Sequence, residues 1–179
     1  MTTDGPTPPP TPTDGLDAGG WELATERTEI LADLSAVRVR GVTRRYENDH
    51  ATAEGGDSVR FFAVTRLEFE PGLPFGVGLS MAASVTRTRA RREFAERLRE
   101  RGLDDIERDG TERVELPDGT RLRVTRYTAT DPGSELPLEC WLGVHRGSDL
   151  CVVTGGHPAD TPEYREAFFE LLGETSRRN

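Results

Sequence analysis

The sequence predicts an α+β fold: a largely antiparallel sheet of six to seven strands with an inserted helix and a C-terminal helix. Three observations carry that prediction. Short apolar runs alternate with period two, turn residues separate most of them, and two stretches of helical period interrupt the series, one after the early strands and one at the end. At 179 residues the chain suits one domain with a sizeable core plus a tail.

Residues 1–20, MTTDGPTPPPTPTDGLDAGG, are dominated by Pro, Thr, Asp and Gly. So little apolar surface cannot offset the entropy of ordering, and the segment is expected to be a disordered, polyproline-biased leader. A single α+β domain is expected over residues 21–176. The segment WELATERTEILADL (21–34) fits two templates. Leu23, Ile30, Leu31 and Leu34 lie on a helical stripe, while Trp21, Leu23 and Thr25 begin a strand alternation. Val37, Val39 and Tyr46 then mark a strand, and residues 47–58 have turn composition throughout.

VRFFAVTRLEFE is the clearest strand. Val59, Phe61, Ala63, Leu67 and Phe69 share one face, and Phe62 and Val64 make the other apolar as well, which predicts a central position. PGLPFGVG (71–78) reads as a loop in which Phe75 caps the core edge or meets a ligand. It lacks the GK[ST] and strand-to-helix context of a phosphate cradle.

SVTRTRARREFAERLRERGL (84–103) holds seven arginines and three glutamates. On a helical wheel Ala90, Phe94 and Leu98 form the apolar stripe, with Ala95 at its margin. Arg89–Glu93, Arg92–Glu96 and Glu93–Arg97 stand at ion-pair spacing. Gly102 is expected at C′, with Leu103 packing back on the last turn. Arg87 and Arg91 align with the apolar stripe, where a plain solvent face would not put them. Either the helix starts after them or they reach buried carboxylates.

RVELPDGTRLRVTRY reads as a hairpin turning at Pro117-Asp118-Gly119. A second hairpin joins LPLECWLGV to LCVVTGG. A two-residue turn at Gly147-Ser148 would pair Val144 with Cys151 and place Cys140 opposite Gly155. Both thiols then face one side roughly 13 Å apart, too far for a disulfide between Cys140 and Cys151. Trp141 falls on the other face with His145, covered by a helix or forming an aromatic patch with Tyr127. His157, in GGHPAD, either aims an imidazole at a cleft or follows two glycines that turn the chain into the last helix. That helix follows Asp160-Thr161-Pro162 and buries Tyr164, Phe168, Leu171 and Leu172.

The charge balance narrows the function classes. The 23 basic residues are all arginine against 32 acidic residues, for a net charge of −9. Lysine and glutamine are absent. That composition reads as a GC-rich, salt-adapted source, an extreme halophile. No signal peptide or lipidated cysteine is read at the N-terminus and no apolar run approaches the roughly 20 residues that span a bilayer, so a cytoplasmic protein without membrane contact is expected. The histidines His50, His145 and His157 have no metal-ligand spacing, and no metal or cofactor is expected. No nucleophile turn or carboxylate pair stands out.

The runs GWELATERTE, Tyr46-Glu47-Asn48, FAVTRLEFEP, RERGLDDIERDG, VTRYTA and VVTGGHP together resemble a haloarchaeal family of uncharacterised proteins, many of them lipoproteins. The order of elements is similar to the PsbP-like α-β-α arrangement. The resemblance covers residues 21–175. Here the signal and lipidated cysteine of the lipoproteins are missing, so a membrane anchor does not carry over. PsbP-like relatives bind partner proteins, which implies an interaction module and assigns no residue a role.

Three readings follow. The first is a non-enzymatic binding module for a protein partner or small ligand. The second is a small-molecule-binding protein or enzyme with a cleft near Phe75, Trp141 and His157. The third is a nucleic-acid-associated protein using the Arg87–Arg101 helix, against which the surrounding acidic charge and the salt sensitivity of phosphate contacts both argue.

Overall fold

In the computed structural model, which describes residues 6–48, 60–116 and 119–179, seven strands form one antiparallel sheet. The strands are β1 (Glu22–Asp33), β2 (Arg38–Glu47), β3 (Phe61–Glu70), β4 (Asp104–Glu115), β5 (Arg121–Asp131), β6 (Leu136–Arg146) and β7 (Leu150–Pro158). Their spatial order is β1-β2-β3-β7-β6-β5-β4. The helices are α1 (Thr13–Gly19), α2 (Leu79–Glu100) between β3 and β4, and α3 (Pro162–Arg178). The α+β class is as the alternation predicts. His50 with the expected loop from 49 to 58, Val59, and Pro117 and Asp118 of the first hairpin turn lie outside the described residues.

Residues 21–34, ambiguous in sequence, fold as β1, the edge strand. Its backbone pairs with β2 along its length through two register shifts, while Leu23, Ile30 and Leu34 of the helical stripe stay exposed. β3 is central and buried on both faces. Phe61, Ala63, Leu67 and Phe69 face α2, while Phe62 and Val64 pack on the other side with Trp141 and Phe168. α2 lies over β6, β7 and β4, and α3 covers the opposite face with α1 packed against it.

Helix α2 starts at Leu79, so Arg87 and Arg91 lie inside it. Phe94 and Leu98 are its buried anchors, as the wheel predicts. It stops through two hydrogen bonds, Gly102 N–H to Arg99 O (2.8 Å) and Leu103 N–H to Leu98 O (3.2 Å), with Gly102 at φ 83°. That is the Schellman pattern expected from Gly102, and Leu103 packs on Leu98.

Three expectations are corrected. Residues 6–20 are not without order. α1 buries Leu16 against the core, and Pro9 and Pro12 are buried beside it. The N-cap of α1 is Pro12, which has no side-chain acceptor. The buried Glu174 of α3 supplies one instead, accepting the N–H groups of Asp14 (3.0 Å) and Gly15 (2.8 Å). A cap delivered from another helix leaves no local sequence signal.

The β6–β7 turn holds three residues, because Arg146 pairs with Leu150. Asn179 stabilises this turn, accepting from Ser148 N–H at its carbonyl and from Asp149 N–H at Oδ1. A one-residue change of register reverses every side chain. His145 therefore pairs with Cys151, and Cys140 with Gly156. The two thiols lie on opposite faces, Cys140 under α2 and Cys151 under α3 beside Trp141. Trp141 thus shares a face with Cys151. Burial pushes both thiols up to about 12, and neither is bonded.

Gly155 and Gly156 do not turn the chain into α3; they sit within β7. A Cβ on Gly155 would lie 2.4 Å from the Phe168 ring, and one on Gly156 2.5 Å from the Phe61 ring. The pair clears room for one aromatic on each face of the sheet.

Gly155→Ala is expected to cost about 1–3 kcal/mol by overpacking Phe168, read as a lower urea midpoint with unchanged slope. Glu174→Ala is expected to cost about 0.5–2 kcal/mol through loss of the cap. Hydrogen exchange should then speed at residues 14–20 while the β3 amides stay protected.

Candidate functional site

One helix cannot cover one face of this sheet. Along the β1–β3 side of α2 a cavity of about 570 Å³ remains. Ala63, Leu67 and Phe69 of β3, Val39 of β2 and Leu31 of β1 form its floor and far wall, and Ala82, Ala90 and Phe94 of α2 its near wall. Gly41 is needed here. A Cβ at that position would sit 2.7 Å from the Leu31 side chain, which instead lies across β2 into the groove. Thr43 and Thr65 face the floor but hydrogen-bond each other at 2.8 Å, so they do not make it polar.

The side away from the core is strapped. Arg97 of α2 pairs with Glu29 of β1 at 2.7 Å, and Arg89 donates to the Leu31 carbonyl while pairing with Glu93. Of the predicted pairs along the helix, Arg89–Glu93 forms, while Arg97 turns to β1 instead of Glu93. These links tie the edge strand to the helix and leave the groove running lengthwise between them.

Its two ends differ in chemistry. At the N-terminal end of α2 the lining is Leu34, Val37, Leu73, Pro74, Val77, Met81 and Val85, and Leu34, Met81 and Val85 are exposed to solvent. At the C-terminal end stand Arg27, Arg45, Arg97 and Arg101. The guanidinium of Arg101 lies 4.6 Å from the Phe61 ring centroid and that of Arg45 lies 5.2 Å from it. Arg45 pairs with Glu47 through one nitrogen, but its buried Nε has no hydrogen-bond partner among the described residues. Desolvation, with the positive charge of Arg45 next, lowers Arg101 to about 10, which leaves it charged at neutral pH, and desolvation lowers Arg45 as well. Arg101 meets no carboxylate within ion-pair distance among the described residues.

The structure separates the residues singled out from sequence. Phe75 is fully exposed on the loop beside the apolar end of the groove. Trp141 and His157 lie on the other face of the sheet under α3, so the three share no cleft. The indole of Trp141 stacks on Phe168 and donates to His157 Nε2 at 3.0 Å, while His157 Nδ1 lies 2.8 Å from the Pro158 carbonyl. This fixes a neutral ring protonated at Nδ1. Burial lowers the His157 pKa, with the charges of Arg60 and Arg165 adding to it. His145 is likewise buried, held by Ser176 and Asn179. Tyr127 is buried beneath α2, on the face away from Trp141. Arg87 and Arg91 point to the β5 side of α2 and reach no carboxylate among the described residues; Arg91 Nε donates to Thr125 Oγ1 at 3.2 Å. Among the described residues no group of three or more His, Cys, Asp or Glu is placed to hold a metal ion, and no helix is long and apolar enough to cross a membrane.

Sequence reasoning missed Arg45 and Arg101 at the charged end and Met81 and Val85 at the apolar end. The last two had a signal: they are large apolar residues off the buried stripe of α2.

The lowered His157 pKa sets a pH dependence. Above about pH 6.5 the ring is neutral in both states and contributes nothing. Below it the unfolded chain takes up a proton that the folded chain refuses, and stability falls by up to about 1.4 kcal/mol per pH unit. The stability advantage of wild type over His157→Gln should therefore shrink between pH 7.5 and 5.5, measured by chemical denaturation. Parallel curves would mean that the folded ring titrates normally.

No curated protein and no solved structure matches the chain. A family model, described as a domain of unknown function (DUF6517), matches residues 8–176 and so takes in α1 and all that follows as far as the last turns of α3. The chain belongs to the DUF6517 family.

Proposed function

We propose that the protein is a non-enzymatic binding module whose ligand is a small amphipathic molecule with an aliphatic body and an anionic end. The observation that carries this reading is the polarity of the groove along its length: aliphatic walls, an exposed apolar opening beside α2's first turns, and four arginines against Glu29 and Glu47 at the other end. Burial of an aliphatic chain is worth about 0.8 kcal/mol per methylene. The Arg101 guanidinium, over Phe61 and with no carboxylate at ion-pair distance among the described residues, supplies the planar fork that a carboxylate or phosphate head accepts.

A protein partner seated on the apolar opening is the second reading, favoured by Leu34, Phe75, Met81 and Val85, all exposed at that end. The lysine-free, acidic composition supports a salt-adapted, cytoplasmic protein of haloarchaeal type, and helices on both faces of the sheet support the likeness to a PsbP-like arrangement.

The test uses displacement of the fluorescent probe 1-anilinonaphthalene-8-sulfonate from the full chain by dodecanoate and by dodecanol. Dodecanoate is expected to compete at least tenfold better, since a charge-assisted hydrogen bond contributes about 1.5–3 kcal/mol. Arg101→Gln should remove that preference. Val85→Glu, at an exposed position, should weaken both ligands about tenfold or more with folding stability changed by no more than about 0.5 kcal/mol. Equal behaviour of Val85→Glu and wild type would reject the groove as the site. Loss of a protein partner on Val85→Glu, with no binding of either small ligand, would favour the second reading.

A further inference from the structure

The other flank of α2 carries the opposite chemistry. At 3.6 residues per turn, Arg87 and Arg91 point toward β5, while Glu93, Glu96 and Glu100 fall on the far and outer arcs of the helix. Thr125 and Tyr127 of β5 are buried beneath Arg91. Thr125 Oγ1 accepts from Arg91 Nε, and Tyr127 Oη donates to the Arg91 carbonyl at 3.1 Å. Arg123, two residues before Thr125, shares that face, and Arg108 of β4 stands directly across from Tyr127. Arg113 pairs with Arg123 across the two strands. Like charges placed opposite each other in an antiparallel pair are destabilising.

None of the five arginines meets a carboxylate within ion-pair distance among the described residues. The arginines of β1 and β2 (Arg27, Arg38, Arg40, Arg44 and Arg45) all do. Arg87 Nε is buried with no hydrogen-bond partner among the described residues. Desolvation lowers the Arg91 pKa, and the charges of Arg108, Arg87 and Arg123 lower it further, which places the four groups in one electrostatic neighbourhood. In a chain with 32 acidic residues, Arg87, Arg91, Arg108 and Arg123 make a concentrated positive patch, and Glu115, on the same face of β4 beyond Arg113, pairs with Arg121 instead.

We propose that Arg87, Arg91, Arg108 and Arg123, over a floor of Thr125 and Tyr127, form a binding site for a compact polyvalent oxyanion of the phosphate class. Arginines drawn from one helix and two strands stand around the buried Thr125 and Tyr127, which suits several oxygens on one small group better than an extended chain of charges. The planar guanidinium fork matches phosphate oxygens two at a time. The site is separate from the apolar groove, since α2 lies between them, so neither reading depends on the other.

The test is titration of the full chain with sodium pyrophosphate by isothermal calorimetry at constant ionic strength, set against inorganic phosphate, a twelve-residue oligoglutamate and a twelve-nucleotide single strand. Saturable one-to-one binding of pyrophosphate, with phosphate weaker, is the expected result. Arg91→Gln and Arg123→Gln should each weaken it at least tenfold, while Arg99→Gln, on the same helix outside the cluster, should leave it unchanged. Without ligand, both cluster variants should melt at or above the wild-type temperature at low salt, because one like charge has been removed. Four outcomes would overturn the proposal: no saturable binding, equal loss in Arg99→Gln, a fall in ligand-free stability in both cluster variants that marks a structural role, or tighter binding of the oligonucleotide or the oligoglutamate than of pyrophosphate.

Discussion

A sheet of seven strands is far wider than the single helix that lies on its α2 face. Six inter-strand spacings of about 4.8 Å make a surface of roughly 29 Å, against about 10 Å for a helix with its side chains. Most of what is distinctive here follows from that mismatch. α2 seals the middle through Phe94 and Leu98 and leaves a flank on each side. The β1–β3 flank is aliphatic, and the edge strand is drawn up to the helix by Glu29–Arg97. The β4–β5 flank is arginine over hydroxyls. One helix thus divides one face into two flanks of unlike chemistry.

The other face shows what closure takes. α3 presents Phe168, Leu171 and Leu172 to a surface of Phe62, Val64, Trp141 and Val153, and glycine at 155 lets the Phe168 ring lie on the strand itself. The indole N–H of Trp141, which would be costly if left unsatisfied in that interior, is met by His157. α1 completes the layer only because Glu174 caps it from α3. The histidine that looked most like chemistry in the sequence is therefore consumed in holding this face together.

The site itself was only partly legible. Phe94, Leu98 and the Schellman end of α2 could be read because they depend on residues within a few turns of one another. So could the misfit of Arg87 and Arg91 with a solvent face. What they face instead, Thr125 and Tyr127, stands more than thirty residues away and depends on strand register. The grouping of Phe75 with Trp141 and His157 failed for the same reason. Period two tells which residues alternate, but not which face of the sheet each set meets.

By itself, then, the sequence determined what short-range physics controls: most strands from their alternation, α2 and α3 from their period, the stop at Gly102 and the central place of β3. The tertiary structure alone decided the three-residue turn that parts Cys140 from Cys151, because Asn179 holds it from a distant helix. It also decided the order of residues 6–20, because their cap comes from Glu174. And it decided where the uncovered apolar surface gathers, because a groove is made by what α2 leaves uncovered, and no local pattern encodes the surface that a neighbour fails to reach.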